Sequence, residues 1–313
     1  MYFDKLKKWE LSVKESGLNG LFKTKQFSIP IPGETDLKLD GQLIEPANGD
    51  KGYFFTDSAA KDKQRIVLHF TAGVLTGDLK ALTGQLKGRL KTISVPFVMG
   101  RDGSIYRPFS SAAWAWHLGG FVKGKNNKAI RVAEQKATIG IEISNIGPLK
   151  KKGDILKTIY KSDYCTLDQT DRYTALENPY RGYKYWATYT DEQINSLIIL
   201  LRYLTASYDI PREFIPEESR YETDVANTLQ FKGIVSHVNY RKDKSDLGPA
   251  FPWEAVIAGV QAETYVSTAP QTRGDVFAQI LDSEAAMDKD FTPTEAHIYQ
   301  PDMDETGGPD DWE

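Results

Sequence analysis

An α/β (α+β) fold, with a central mixed β-sheet flanked by helices, is predicted by three observations. Short apolar runs bounded by charged or turn residues recur along the chain: Ile66–Phe70 (IVLHF), Val95–Met99 (VPFVM), Thr138–Ser144 (TIGIEIS) and Gly233–Val235 (GIV). Segments with helical spacing lie between them, such as Leu79, Leu82, Leu86 and Leu90, or Ile194, Leu197, Ile198, Leu201 and Leu204. The chain has 313 residues, 40% of them hydrophobic, which is enough to bury a sizeable core.

Taken in order, residues 2–16 carry Tyr2, Phe3, Leu6, Trp9, Leu11 and Val13 in a loosely amphipathic pattern, a short helix. Leu18 to Thr56 is punctuated by prolines and glycines and reads as short strands and turns, a small appendage on the main domain. The strand at Ile66–Phe70 ends on His69 and Thr71-Ala72-Gly73, and helical spacing follows over Leu75–Leu90. Arg101-Asp102-Gly103-Ser104 stands between two apolar runs. Asp-Gly there signals a hairpin, because both residues tolerate positive φ. Pro96 suits a strand start or an edge.

Ala112 to Gly120 (AAWAWHLGG) is compact and aromatic, and reads either as a core turn or as the wall of a cleft. In Thr138–Ser144 the three isoleucines share one face, and Gly140, Glu142 and Ser144 share the other. A carboxylate in so apolar a strand must be paired, hydrated in a cleft or raised in pKa. Gly147 to Thr188 is polar and rich in lysine and tyrosine, and reads as a long insertion with little core of its own. Thr190-x-x-Gln193 is a capping box opening a helix that Pro211 follows. Pro252 suits the first turn of another helix.

The predicted organisation is an N-terminal appendage (1–60), a main domain (61–261, with the insertion at 147–188) and an acidic C-terminal extension (262–313). From Asp275 onward there are 12 acidic residues and one lysine, whereas the rest of the chain carries 38 basic and 31 acidic residues. A mildly basic body suits an anionic polymer, but no aromatic-basic motif points to nucleic acid. Cys165 is the only cysteine, so no internal disulfide forms, and it reads as a bystander thiol. No apolar run approaches the roughly 18 residues of a membrane span. The N-terminus lacks the apolar segment of a secretory signal, so synthesis in a cytoplasm is expected.

Chemistry gathers in Ser236–Phe251 (SHVNYRKDKSDLGPAF), which offers the imidazole of His237, the ammonium of Lys244 and the carboxylate of Asp246. Imidazole and carboxylate are ligand types that zinc accepts beside a second histidine.

Four segments in this order, IVLHFTAG, FVMGRDGSIY with AWHLGG, TIGIEISN and SHVNYRKDKSDLGPAFPW, resemble the zinc-dependent N-acetylmuramoyl-L-alanine amidases of the type-2 amidase and peptidoglycan-recognition superfamily. The resemblance implies that His69, His237 and Asp246 hold Zn2+, that Glu142 is the general base and that Lys244 steadies an oxyanion. It also implies a peptidoglycan substrate, contacted by His117, Trp116 and Thr71. Some relatives carry a tyrosine in the strand before the Arg-Asp-Gly turn, where this chain reads Val95-Pro96-Phe97, and Leu247 replaces the usual proline. The setting this implies is a phage-type endolysin that reaches the wall after release or delivery. A non-catalytic peptidoglycan-recognition protein on the same fold is the alternative, although such binders commonly lack a zinc ligand and all three are present here.

Overall fold

The computed structural model describes residues 1–6, 8, 10, 18, 20–86, 90–122 and 127–266. The acidic extension from 267 onward and most of the predicted N-terminal helix, with Trp9, Leu11 and Val13, lie outside the described residues.

Among the described residues, twelve strands form two sheets. The main sheet has seven strands: β1 (Phe22–Ile31), β2 (Glu34–Pro46), β3 (Arg65–Phe70), β4 (Phe97–Met99), β5 (Ile105–Arg107), β6 (Thr138–Ile143) and β12 (Gly233–Ser236). Their spatial order is β1-β2-β5-β4-β6-β3-β12. The sheet is mixed, as expected. β4, β6, β3 and β12 run parallel, β2 is parallel to β5, and the β1–β2 and β4–β5 pairs are antiparallel. The Asp-Gly hairpin forms between β4 and β5, with Gly103 alone at positive φ and the Asp102 carboxylate accepting from Ser104 N at 3.0 Å. Proline- and glycine-rich residues 22–46 join this sheet. They form a long hairpin that extends the main sheet through β2.

Strand alternation sorts the two faces of this sheet. Ile66, Leu68, Phe97, Met99, Ile139, Ile141, Ile143 and Ile234 point to one face. There they meet α3 (Asp191–Tyr208), through Leu197, Leu200, Leu201 and Leu204, and α5 (Trp253–Gln261), through Trp253, Val256 and Val260. Each such fully buried aliphatic side chain stabilises the fold by about 1.5–3 kcal/mol. Thr190 caps α3 as its spacing predicts: its hydroxyl accepts from Gln193 N at 3.1 Å, and the Gln193 side chain returns to Thr190 N at 3.3 Å. The helix ends on Asp209 in the left-handed region, just before Pro211.

The opposite face carries α1 (Leu75–Leu82), which packs on Val95, Val98 and Tyr106, and the Leu118–Phe121–Tyr240 cluster over Val67 and Val235. The helical spacing beyond Leu82 is not used, since α1 stops at Thr83 and Gly84 takes positive φ. Two helices that the spacing did not predict are α2 (Lys128–Ala137), which leads directly into β6, and the short α4 (Val225–Gln230), which precedes β12.

The insertion is a folded sheet whose core is shared with residues outside it. β7 (Pro148–Lys152), β8 (Ile155–Thr158), β9 (Asp163–Thr166), β10 (Tyr173–Tyr180) and β11 (Tyr183–Ala187) make an antiparallel sheet in the order β10-β11-β7-β8-β9. One side of it closes over Leu6, Ile146, Leu149, Leu156, Tyr164 and Cys165. Lysines, threonines and acidic residues interrupt these short strands, so the apolar residues look sparse in sequence but gather in one cluster. Burial pushes the Cys165 thiol up to about 11, which keeps it protonated and unreactive at neutral pH. Asn145 closes the insertion at its base, donating to the Ala187 and Thr188 carbonyls and accepting from Gly147 N. The two ends of the loop therefore sit together, and its length perturbs the main sheet little.

Candidate metal centre

Parallel pairing builds the site. His69 continues the Arg65–Val67 series of β3 onto the α1 face, and β12 next to it hands the chain to a turn that begins at His237. The following loop returns Asp246, and its carbonyl accepts from Val238 N at 2.9 Å. Asn239 pins the loop from beneath. Its amide donates to the carbonyls of Ser219, Arg220 and Glu222, and its oxygen accepts from Ser236 N.

The three side chains converge. His69 Nδ1 lies 3.0 Å from His237 Nδ1 and 3.2 Å from Asp246 Oδ2, and His237 Nδ1 lies 3.1 Å from the same oxygen. All three residues are buried. Ligands about 2.0–2.1 Å from a tetrahedral zinc lie about 3.3 Å from one another, so this triangle has the right size.

Proton placement makes the same case. His237 Nε2 faces the Leu118 carbonyl at 3.3 Å, which can only accept, so that nitrogen carries the proton and Nδ1 is bare. Burial lowers the pKa of His237 against the opposing pull of Asp246, which keeps the ring neutral. Whenever a ring does take up a proton, its charge and N–H hold the carboxyl of Asp246 below the usual carboxylate range against the upward push of burial, so Asp246 stays ionised. The pocket thus concentrates lone pairs, which fits a divalent cation and leaves the fourth tetrahedral direction to another ligand.

The other predicted site residues fall as follows. Glu142 is the register partner of His69 across β3–β6, so both side chains leave the same face of the sheet one strand apart. Lys244 is half-buried on the ligand loop, near enough for its charge to oppose protonation of His237. Thr71 follows β3, with its hydroxyl accepting from Gly73 N at 3.2 Å and bonding Asp78. Trp116 packs its indole on Trp114 at 5.5 Å. His117 bonds the far nitrogen of His69, with Nδ1 3.0 Å from His69 Nε2.

Two participants escaped sequence reasoning. Asp78, in the first turn of α1, accepts from Ser144 Oγ at 2.9 Å. Burial, with Glu142 adding to it, pushes its carboxyl up to about 7 against the hydrogen bonds of Ser144 and Thr71. Nothing in LTGDLKAL marks that aspartate as buried, since the turn looks like an ordinary acidic helix start. Thr138, read as a mere strand start, stands behind His117 with Oγ1 2.9 Å from His117 Nε2.

Residues 60–249 match the family model described as N-acetylmuramoyl-L-alanine amidase. The chain belongs to that family. The matched stretch of this amidase holds β3 through the ligand loop and so contains His69, His117, Glu142, His237, Lys244 and Asp246. The β1–β2 hairpin and α5 lie outside it. Among solved structures, AmpDh3 of Pseudomonas aeruginosa is similar at 18% identity and a TM-score of 0.36, covering 63% of this chain and 59% of that one. An N-acetylmuramoyl-L-alanine amidase endolysin, LysCS of Clostridium intestinale, is similar at 17% identity and a TM-score of 0.34, over 66% of this chain and 88% of that one. A selenomethionine AmpD structure is similar at 17% identity and a TM-score of 0.38, over 66% and 90%. Scores this low add no weight to the family match. No curated protein matches the chain. Among the described residues, no helix is long and apolar enough to cross a membrane.

Proposed function

We propose that this amidase hydrolyses the amide between the lactyl group of N-acetylmuramic acid and the first L-alanine of the peptidoglycan stem peptide, with zinc held by His69, His237 and Asp246. The triangle of donor atoms at 3.0, 3.1 and 3.2 Å carries this reading. Zinc bound there supplies Lewis acidity and lowers the pKa of water to roughly 7.

The chain's own groups do the rest. Glu142 accepts the proton of the attacking water and passes it to the leaving amine as the C–N bond breaks. Its place one strand from His69, on the same face, supports that role. The Lys244 ammonium balances the charge that develops on the carbonyl oxygen, and its position on the ligand loop next to His237 supports this. Thr71, which follows β3, and Trp116, which precedes His117, are the proposed substrate contacts.

We place the activity on intact wall, in the manner of a phage-type lysin. The observation behind this is the β10–β11 hairpin. The Tyr180 ring packs against Gly248 of the ligand loop, Arg181 donates to the Lys242 carbonyl, and Tyr221 meets Tyr180 at 5.9 Å. An aromatic surface beside the ligand loop suits the sugar rings of a polymer.

Mass spectrometry of digested sacculi and of soluble muropeptides tests both statements. Release of free stem peptides beginning with L-alanine, from sacculi as well as from fragments, is the expected result. Release from fragments alone would contradict the lytic setting, and binding without any cleavage would favour a recognition protein.

A further inference from the structure

Three elements around His117 occupy both of its ring nitrogens and its backbone N–H. Its backbone N–H donates to Gln135 Oε1 of α2 at 3.1 Å, its Nε2 sits 2.9 Å from Thr138 Oγ1, and its Nδ1 sits 3.0 Å from His69 Nε2. The ring occupies a slot that exists because residue 140 is glycine. A Cβ there would come 3.0 Å from His117 Nδ1 and 2.6 Å from Val95 Cγ1.

The direction of the hydrogen bonds is set from the far end. Thr138 Oγ1 lies 2.9 Å from the Glu134 carbonyl and 3.3 Å from that of Gln135, and both oxygens can only accept. The single hydroxyl proton therefore points to the helix, and Oγ1 must accept from His117 Nε2–H. Nδ1 of His117 is then the bare nitrogen and accepts from His69 Nε2–H. His69 Nδ1 is in turn bare, and it faces His237 and Asp246. The rings of His69 and His117 meet at 82°, so the contact runs edge to edge between nitrogens and is not a stack.

We propose that His117 is a positioning residue for the metal centre: relaying the helix carbonyl through Thr138, it fixes the tautomer and ring plane of His69 so that Nδ1 is presented as a ligand. The proposal rests on the metal reading of the triad. It replaces the expectation that this histidine lines the substrate cleft. Outer partners of this kind typically change metal affinity by about 10- to 100-fold when removed.

The test uses the full chain and zinc alone. The Kd for zinc is measured by chelator competition, the visible spectrum of the cobalt-loaded protein reports ligand geometry, and KM is measured on soluble muropeptides at saturating zinc. His117→Phe should weaken zinc about 10- to 100-fold and alter the cobalt spectrum, with KM unchanged. His117→Gln, whose amide oxygen can still accept from His69 Nε2–H, should recover most of the affinity. Thr138→Val should fall between the two. Wild-type zinc affinity in His117→Phe, or a raised KM with affinity intact, overturns the proposal while leaving the triad standing. If His117→Phe fails to fold, the Gln and Val variants decide by the same readings, and wild-type Kd in Thr138→Val then overturns the relay. If the wild type itself binds no zinc, the triad reading falls and the proposal falls with it.

Discussion

Glu142 and Asp78 show how two carboxyl groups on one face of a sheet acquire different chemistry. Glu142 stands beside His69 in register, whereas Asp78 is sealed under Ser144 and Thr71. Glu142→Gln should keep zinc and lose turnover by about a hundredfold or more, read as kcat alongside metal content. Lys244→Ala should lower kcat by about a hundredfold, on the order of 3 kcal/mol of transition-state stabilisation, with zinc retained. Asp78 makes a prediction about pH. Its folded carboxyl keeps a proton up to about pH 7, whereas the unfolded one loses it near 3.8. Between those values the folded state binds the extra proton. The stability from this group is therefore full below about pH 4 and declines as pH rises toward 7, by an amount on the order of a few kcal/mol. Asp78→Asn should remove that decline in metal-free protein, seen as a wild-type-minus-variant difference in urea unfolding that grows with pH. An equal pH slope in the two proteins would show that Asp78 is ionised in the fold.

The next scale is that of strands and helices, where parallel register does the assembling. β6, β3 and β12 lie side by side, so Glu142, His69 and the turn at His237 emerge at one end of the sheet although they are far apart along the chain. The small residue at 140 matters as much as the large ones near it. Gly140→Ala should push His117 from its slot and destabilise the protein by about 1–3 kcal/mol, since the collisions are with a packed valine and a hydrogen-bonded ring. Much at this scale was legible beforehand. The alternation of TIGIEIS, the Asp-Gly turn and the Thr190–Gln193 cap each depend on neighbours a few residues away, and local chemistry decides them. α2 was missed because only Ile130 and Val132 of KAIRVAEQKA are apolar and larger than alanine, and the helix buries only Glu134 and Gln135. Those two serve polar partners, Arg65 and the His117 backbone, and an apolar pattern cannot reveal that. His117 was legible as a member of a motif but not as a partner of His69, because the contact crosses 48 residues.

Across the whole molecule, a few buried polar residues tie distant parts together. Arg202 of α3 is fully buried. It pairs with Glu34 at the β1–β2 turn and donates to the carbonyls of Gly259, Val260 and Ala262 at the end of α5. One guanidinium thus holds the hairpin, the long helix and the last helix. Arg202→Leu should cost about 3–5 kcal/mol in unfolding free energy, because it strands three carbonyls and leaves Glu34 with Arg212 as its remaining guanidinium partner. The same scale explains why the sheet of the insertion was missed. Its core is completed by Leu6 from the N-terminus and Ile146 from the main domain, so neither its composition nor its length discloses a packed sheet. The grouping of His69, His237 and Asp246, by contrast, was readable from ordered motifs, and the geometry adds their convergence and burial. Metal content of the full chain, reconstituted with zinc and measured by elemental mass spectrometry, reaches the central claim most directly. One zinc per chain in the wild type and in Glu142→Gln, with loss of tight zinc in His237→Ala and Asp246→Ala, is the predicted result. Zinc held as tightly by Asp246→Ala as by the wild type would contradict it.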